Sequence, residues 1–384
     1  MKFRFITVFN DFAEVHLTKD VGMIPIAAAE WETARKSLVY YRQGPAAATI
    51  ANPYSEKVQL IGIAAHSQAV FLLKLAVSFL GERGSIINLY HLRYQSLMLT
   101  LWAKIIGKKV YVKLDMNERL VAALESNWNK RWRPKSLLTK AVIRLADCVS
   151  VESRSDYDRL KHFWAFRNNL VYMPNGVLRS TTGAKPTERF AERSKVVLIA
   201  GRIGAHEKNH ELILDTLPYL LDLKGWRFLF AGPVSDEFRE RVARLMTEFP
   251  DLTGSVELLG NQNRKSLFDL YTTSAVFLLP SRYEGFSLAL VEAAFMGCYI
   301  IATDVGGVRA VTDDGRYGTI IDQDNVGSLR MALERVIEGK ADLETTYRER
   351  LRFAQENFDQ SVNMQVVAEK LGMSSSHSIG NRCL

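Results

Sequence analysis

The sequence predicts an α/β protein of two Rossmann-like domains, each built on a parallel sheet. Three observations carry that expectation. Short β-type runs recur along the 384 residues, most followed by an amphipathic segment of helix length. A polar stretch of linker composition, residues 179–194, follows the turn Pro174-Asn175-Gly176. Charge also divides there: residues 1–185 hold 27 Lys+Arg against 14 Asp+Glu, and the remainder holds 23 against 28.

The strand-like runs of the first half are 3–10, 85–90, 109–114, 147–152 and 169–173. Those of the second half are 195–200, 226–232, 255–260, 275–280, 299–304 and 318–322. The apolar stretch 59–80 carries His66, Gln68 and Lys74, so it reads as a buried strand or turn and then a helix, not a membrane span. These patterns set domains at 1–185 and 186–358, then a C-terminal helix at 359–372 that packs back on the first domain. The Ser-rich residues 373–384 are expected to be a disordered tail.

Composition excludes several classes. An apolar fraction of 47% is too high for general disorder. Cys148, Cys298 and Cys383 are scattered and odd in number, which argues against a disulfide framework and for a reducing compartment. The start MKFRFITVFND turns polar too soon for a signal peptide. No G-x-G-x-x-G loop follows the first strand, which disfavours a nicotinamide dehydrogenase.

The chemistry concentrates in the second half. A buried run ends at Gly201-Arg202, and a short loop reaches Lys208-Asn209, with Asn209 placed to cap the next helix. Two cations at the carboxyl end of a parallel strand, beside a helix start, suit an anion; two solvated surface charges fit the spacing equally well. The segment Ser281 to Gly297 places a loop before a helix that opens near Ser287. There the backbone N–H groups of Phe286, Ser287 and Leu288 would face an anion, and Gly285 permits close approach. Glu292 lies on an apolar helix and needs donors, either a ligand diol or a structural partner. Asp322-Gln323-Asp324 has metal-ligand form but is better explained by turn and cap duty.

Glu284 and Glu292 form an E-x7-E pattern. With Gly201-Arg202, Lys208-Asn209, Asp304-Val305-Gly306-Gly307 and Met173-Pro174-Asn175-Gly176-Val177, the chain resembles retaining glycosyltransferases of family four. Residues 16–25 resemble a variant found in members that build bacterial surface polysaccharide. The resemblance implies the GT-B fold, two Rossmann-like domains facing each other across a cleft. It implies that Arg202 and Lys208 hold a donor diphosphate, that Glu284 binds sugar hydroxyls, and that Gly201 and Gly285 to Leu288 contact the donor. Glu292 would accept ribose hydroxyls, and Gly22 would lie in the loop after the first strand, where the diphosphate approaches. The donor would be a UDP- or GDP-linked sugar, with no cofactor or metal required. The acceptor would be a glycan or a polyprenyl-diphosphate-linked glycan. Asp115 stands where many members have a histidine and is the candidate for orienting or deprotonating the acceptor. His16, His91, Lys113 and Asn117 are further acceptor-side candidates. The segment after Gly307 lacks the usual acidic residue.

Trp128, Lys130, Arg131, Trp132, Arg133 and Lys135 join aromatic and basic side chains ahead of a helix bearing Leu137, Leu138, Val142 and Ile143. That combination suits an anionic membrane face, which places the protein peripherally on the inner face of the cytoplasmic membrane. No nucleic-acid module accompanies it, so no nucleic-acid partner is expected. Two rival readings are a GT-B sugar-nucleotide epimerase and an inactive subunit that binds glycans or scaffolds a complex.

Overall fold

A computed structural model describes all residues except 1–2, 32–33, 44–49, 83, 91, 116–133, 167, 221 and 374–384. The expected disordered tail therefore lies almost wholly outside the described residues. The chain divides into two compact units, residues 1–174 with 360–384, and residues 175–359.

The first unit is a seven-stranded parallel sheet of β1 (Arg4–Val8), β2 (Ser37–Gln43), β3 (Val58–Ala64), β4 (Ser85–Tyr90), β5 (Lys109–Leu114), β6 (Cys148–Val151) and β7 (Leu170–Tyr172). Their order in the sheet is β3-β2-β1-β4-β5-β6-β7. The second unit is a six-stranded parallel sheet of β8 (Ser194–Ala200), β9 (Arg227–Ala231), β10 (Val256–Gly260), β11 (Ser274–Leu279), β12 (Tyr299–Thr303) and β13 (Gly318–Ile321). Its order is β10-β9-β8-β11-β12-β13. Strand order reverses between β1 and β4 in one sheet and between β8 and β11 in the other. In open parallel sheets such switch points leave a crevice at the strands' carboxyl ends, where ligands bind.

The strands read as nearly unbroken apolar runs because both faces of each sheet are covered. In β8, Val197 and Ile199 join one core, while Val196, Leu198 and Ala200 join the core on the opposite face. In the first unit Ile6, Val8, Ile87, Leu89, Val110 and Val112 pack with Phe71, Leu75 and Leu99 of the covering helices.

The division between units falls before residue 185, and residues 179–194 are not a free linker. Val177 pairs in parallel with Asp359, and Arg179 binds Asp359 at 2.7 Å. Arg193 is buried and donates to the carbonyls of Tyr271 and Ser274 at 3.1 and 2.5 Å. A charged side chain tied to carbonyl acceptors is polar in sequence yet structural in place. The helix Gln360–Lys370 belongs to the first unit, where it packs on the helix Asp20–Ala28.

Gly22 requires a correction. It lies within the Asp20–Ala28 helix, not in a loop, and is buried. A Cβ there would collide with backbone atoms of His16 and Leu17, so the glycine allows the preceding 3₁₀ turn to pack on the helix.

Candidate active site

The site of the second unit stands at the switch point of its sheet. The loop after β8 carries Lys208, and the loop after β11 carries Ser281 and Glu284. Lys208 Nζ donates to Glu284 Oε1 at 2.5 Å, and Ser281 Oγ donates to the same oxygen at 2.9 Å. Both charged side chains are mostly shielded, 17% exposed for Lys208 and 12% for Glu284. Ser281 is fully buried and went unassigned in the sequence, although it stands within the segment that carries the pattern.

Glycines let these loops approach. Gly306 has φ of 54° and lies so close to the Gly285 carbonyl that a Cβ would overlap it. Gly232, at φ of 140°, lies similarly against the Gly201 carbonyl.

The helix Leu288–Phe295 does open at Ser287, but the Ser287 hydroxyl makes no capping hydrogen bond. Its first turn therefore has backbone N–H groups without a side-chain cap. Asn209 is likewise not a helix cap. It adopts a left-handed conformation, φ 52°, and donates to Asp324 Oδ1 at 3.0 Å. Arg282 Nε binds the same Asp324 oxygen at 2.9 Å and its Nη1 donates to the His206 carbonyl at 2.7 Å. Asp324 thus ties the loops together, and Asn325 caps the helix Val326–Ile337. No cluster of metal-ligating side chains occurs among the described residues.

Arg202 differs from Lys208. Its side chain is 72% exposed and pairs with Glu207 of its own loop. Glu292 is buried, and Arg264 Nη1 donates to its Oε1 at 3.1 Å. Burial raises the Glu292 pKa while Arg264 lowers it, leaving it above the usual carboxylate value. Arg264 also donates to the carbonyl and hydroxyl of Thr181, each at 3.1 Å. Nothing in the sequence marks this partner, because an arginine at the start of a helix has the pattern of any surface residue.

His210 fixes the loop from beneath. It is 1% exposed, accepts the Gly204 N–H at Nδ1, and sits edge-on to Phe230 and Phe238. Burial, helped by Lys208, pushes its pKa down to about 3 from 6.5. Below pH 6.5 the unfolded chain binds a proton that the folded chain refuses, so stability falls as pH drops from 6.5 toward 3. At pH 5 the loss is about 2 kcal/mol. Urea midpoints at pH 7 and pH 5 should differ accordingly, and His210→Asn should flatten that dependence.

In the first unit a cavity of about 300 Å³ opens beside the carboxyl ends of β1 and β4. Phe9, Asn10, His16, Tyr90, Arg93 and Gln95 contribute to its lining. Asn10 Nδ2 donates to Gln95 Oε1 at 3.0 Å. The Ala13 N–H donates to His16 Nδ1 at 2.8 Å, so the neutral imidazole carries its proton on Nε2. Burial and Lys19 lower the His16 pKa. A neutral His16 thus offers a donor, not an acceptor, at Nε2.

Lys113 is wholly buried, pairs with Glu152 and stands 3.7 Å from Asp20. Burial pushes Glu152 up to about 7, with Lys113 opposing. Asp115 is exposed one residue beyond β5. His91, Asn117, Trp128, Lys130, Arg131, Trp132 and Arg133 lie outside the described residues, as does the side chain of Lys135. The helix Pro134–Leu145 departs from its expected role: Val142 and Ile143 are in the core and Leu138 packs against it. Its apolar side chains stabilise the domain, and Leu137 remains 51% exposed.

Two parallel α/β units, with a lysine and a glutamate meeting at the switch point of the second, match the architecture of GT-B glycosyltransferases. Residues 194–339 match the family described as Glycosyl transferases group 1, and the chain as a whole is similar to GT-B glycosyltransferases of family four. Over 271 residues it is 27% identical to the N-acetylgalactosamine-N,N'-diacetylbacillosaminyl-diphospho-undecaprenol 4-alpha-N-acetylgalactosaminyltransferase of Campylobacter jejuni, covering 68% of this chain and 69% of that protein. Its fold is similar to that of sucrose-phosphate synthase from Thermosynechococcus elongatus, with TM-score 0.69 and 18% identity over 97% of this chain and 100% of the other. Anabaena HepE in complex with UDP-glucose superposes with TM-score 0.69 at 14% identity, over 97% and 100%.

Proposed function

We propose that this protein is a retaining hexosyltransferase that moves a sugar from a UDP- or GDP-linked donor to a glycan or polyprenyl-diphosphate-linked acceptor. The proposed setting is assembly of bacterial surface polysaccharide at the inner face of the cytoplasmic membrane. One observation carries the reading: Lys208 and Glu284 lie 2.5 Å apart at the switch point of the second sheet. A nucleotide sugar presents an anionic diphosphate next to a ring of hydroxyl donors. Such a ligand matches a cation and a carboxylate set side by side, each replacing its partner with a group of the substrate. Arg202, exposed on the same loop as Lys208, and the N–H groups after Ser287 would complete the diphosphate cradle. Glu292 would offer its carboxylate to the ribose diol while keeping Arg264.

Breaking the glycosyl–phosphate bond builds positive charge on the sugar and negative charge on the leaving diphosphate. Lys208 and the helix start stabilise the second. Retention, which rests on the resemblance to family four, is served by attack from the leaving-group face. The acceptor oxygen bonds to the anomeric carbon as the phosphate oxygen departs, and that oxygen takes the acceptor's proton. Asp115 is proposed to orient the acceptor. The first unit's cavity, with its aromatic and amide lining, suits a sugar of that acceptor.

The test is incubation with UDP- and GDP-hexoses and lipid-linked acceptors. Nucleoside diphosphate release with an α-linked product from an α-donor supports the reading. An epimerised donor with no transfer identifies an epimerase. No turnover and no nucleotide binding identifies a scaffold.

A further inference from the structure

Two neighbouring helices of the first unit are apolar on the side that faces away from the core. In the helix Gln68–Leu80, Phe71, Leu75 and Phe79 are buried, whereas Leu73, Val77 and Leu80 are 57–67% exposed on the opposite side. In the helix Tyr94–Ile105, Ser96, Leu99, Thr100 and Ala103 are buried, whereas Tyr94, Met98, Leu101 and Ile105 are 39–75% exposed. The second set has spacing i, i+4, i+7, i+11, a single stripe along the helix. Trp102 Nε1 of one helix donates to the Ala76 carbonyl of the other at 3.0 Å, so the two stripes lie on adjoining rods. By contrast, the helix Asp236–Glu248 of the second unit turns Glu237, Arg239, Glu240 and Arg244 outward.

The charge on this layer is one-sided. The helices Gln68–Leu80, Tyr94–Ile105 and Pro134–Leu145 together contain five Lys or Arg and no Asp or Glu. Lys104 is paired with Asp147, but the three helices themselves contribute an excess of cations. Apolar side chains with such an excess fit an anionic lipid surface, where the side chains enter the headgroup boundary and the cations meet phosphates. A second copy of the same face would bring like charges together, which disfavours self-association. No helix among the described residues is long and apolar enough to cross a membrane, so contact would be lateral.

We infer that the outer face of the helices Gln68–Leu80 and Tyr94–Ile105 is the surface by which this protein lies on an anionic bilayer. The inference rests on the proposed membrane-linked acceptor but names a different surface from the Trp128–Lys135 segment.

The experiment is co-sedimentation of the full chain with phosphatidylcholine vesicles, with and without phosphatidylglycerol. It compares wild type with Leu73→Gln/Val77→Gln/Leu101→Gln/Ile105→Gln. Thermal shift with UDP and GDP, and light scattering, are run on both proteins. Wild type should bind vesicles containing phosphatidylglycerol, less so as salt rises. The variant should lose binding by about tenfold or more while its nucleotide shift is unchanged. Equal binding by both proteins overturns the inference, as does no binding by wild type. A wild-type dimer that becomes monomeric in the variant also overturns it, by making the face a self-association surface. Loss of any nucleotide shift in wild type counts against the transferase reading alone, because vesicle binding is read separately.

Discussion

Lys208→Ala should lower sugar transfer by two to three orders of magnitude, about 3 kcal/mol of transition-state stabilisation. The lysine is the shielded cation of the site, in contact with Glu284, whereas Arg202 is open to solvent. A cation held away from bulk water acts on developing phosphate charge through a lower effective dielectric. Stability should fall as well, because the mostly shielded Glu284 loses its cation and keeps only the hydroxyl of Ser281. Steady-state rates with saturating donor, beside the melting temperature, separate the two effects. Transfer at the wild-type rate by a folded Lys208→Ala protein would remove the diphosphate role. Arg202→Ala should be the milder change, appearing mainly as weaker donor binding that is sensitive to salt.

Glu292→Ala should damage both folding and function. The sequence alone leaves open whether this acid meets a ligand diol or a structural partner. The structure shows a buried carboxylate paired with a mostly buried arginine, 8% and 17% exposed. Removing one member leaves an uncompensated charge and costs about 3–5 kcal/mol. Arg264 keeps two bonds to Thr181, which places the expected loss at the lower end of that range. Glu292→Ala/Arg264→Met should recover much of that stability without recovering nucleotide affinity. Chemical denaturation and UDP or GDP titration on the single and double variants give the answer. Recovery of affinity together with stability would assign Glu292 a structural role only.

The second sheet was legible in the sequence because β8, β9, β11 and β12 are largely buried on both faces and read as separate apolar runs, with part-buried β10 and β13 at the edges. Val197 and Ile199 on one side and Val196 and Leu198 on the other leave no polar position to blur the signal. The site pattern was legible for a related reason: Lys208, Glu284 and Ser287 all follow buried strands by a few residues. In the first sheet β2 was missed. Its SLVYYRQ run leads into β3 with no helix among the described residues between them, so the strand–helix alternation that marks the others is interrupted. Contacts formed across long sequence distances were not legible either. Glu292 and Arg264, Asn209 and Asp324, and Lys113 and Glu152 each meet only once the sheet has assembled. Charge alone could not tell a ligand-facing Lys113 from a buried one, nor a membrane-facing Val142 from a core one.

The first unit is assembled from two separated pieces of chain, and this ordering bears on how the protein is made. Residues Val21 to Ala28 are all buried in the finished domain, and Met364, Val367 and Ala368 of the last helix are buried in the same unit. A ribosome delivers those closing residues only after the whole of the second unit has emerged. Until then the nascent amino-terminal sheet has an uncovered greasy flank, and a chain truncated before Gln360 is expected to aggregate.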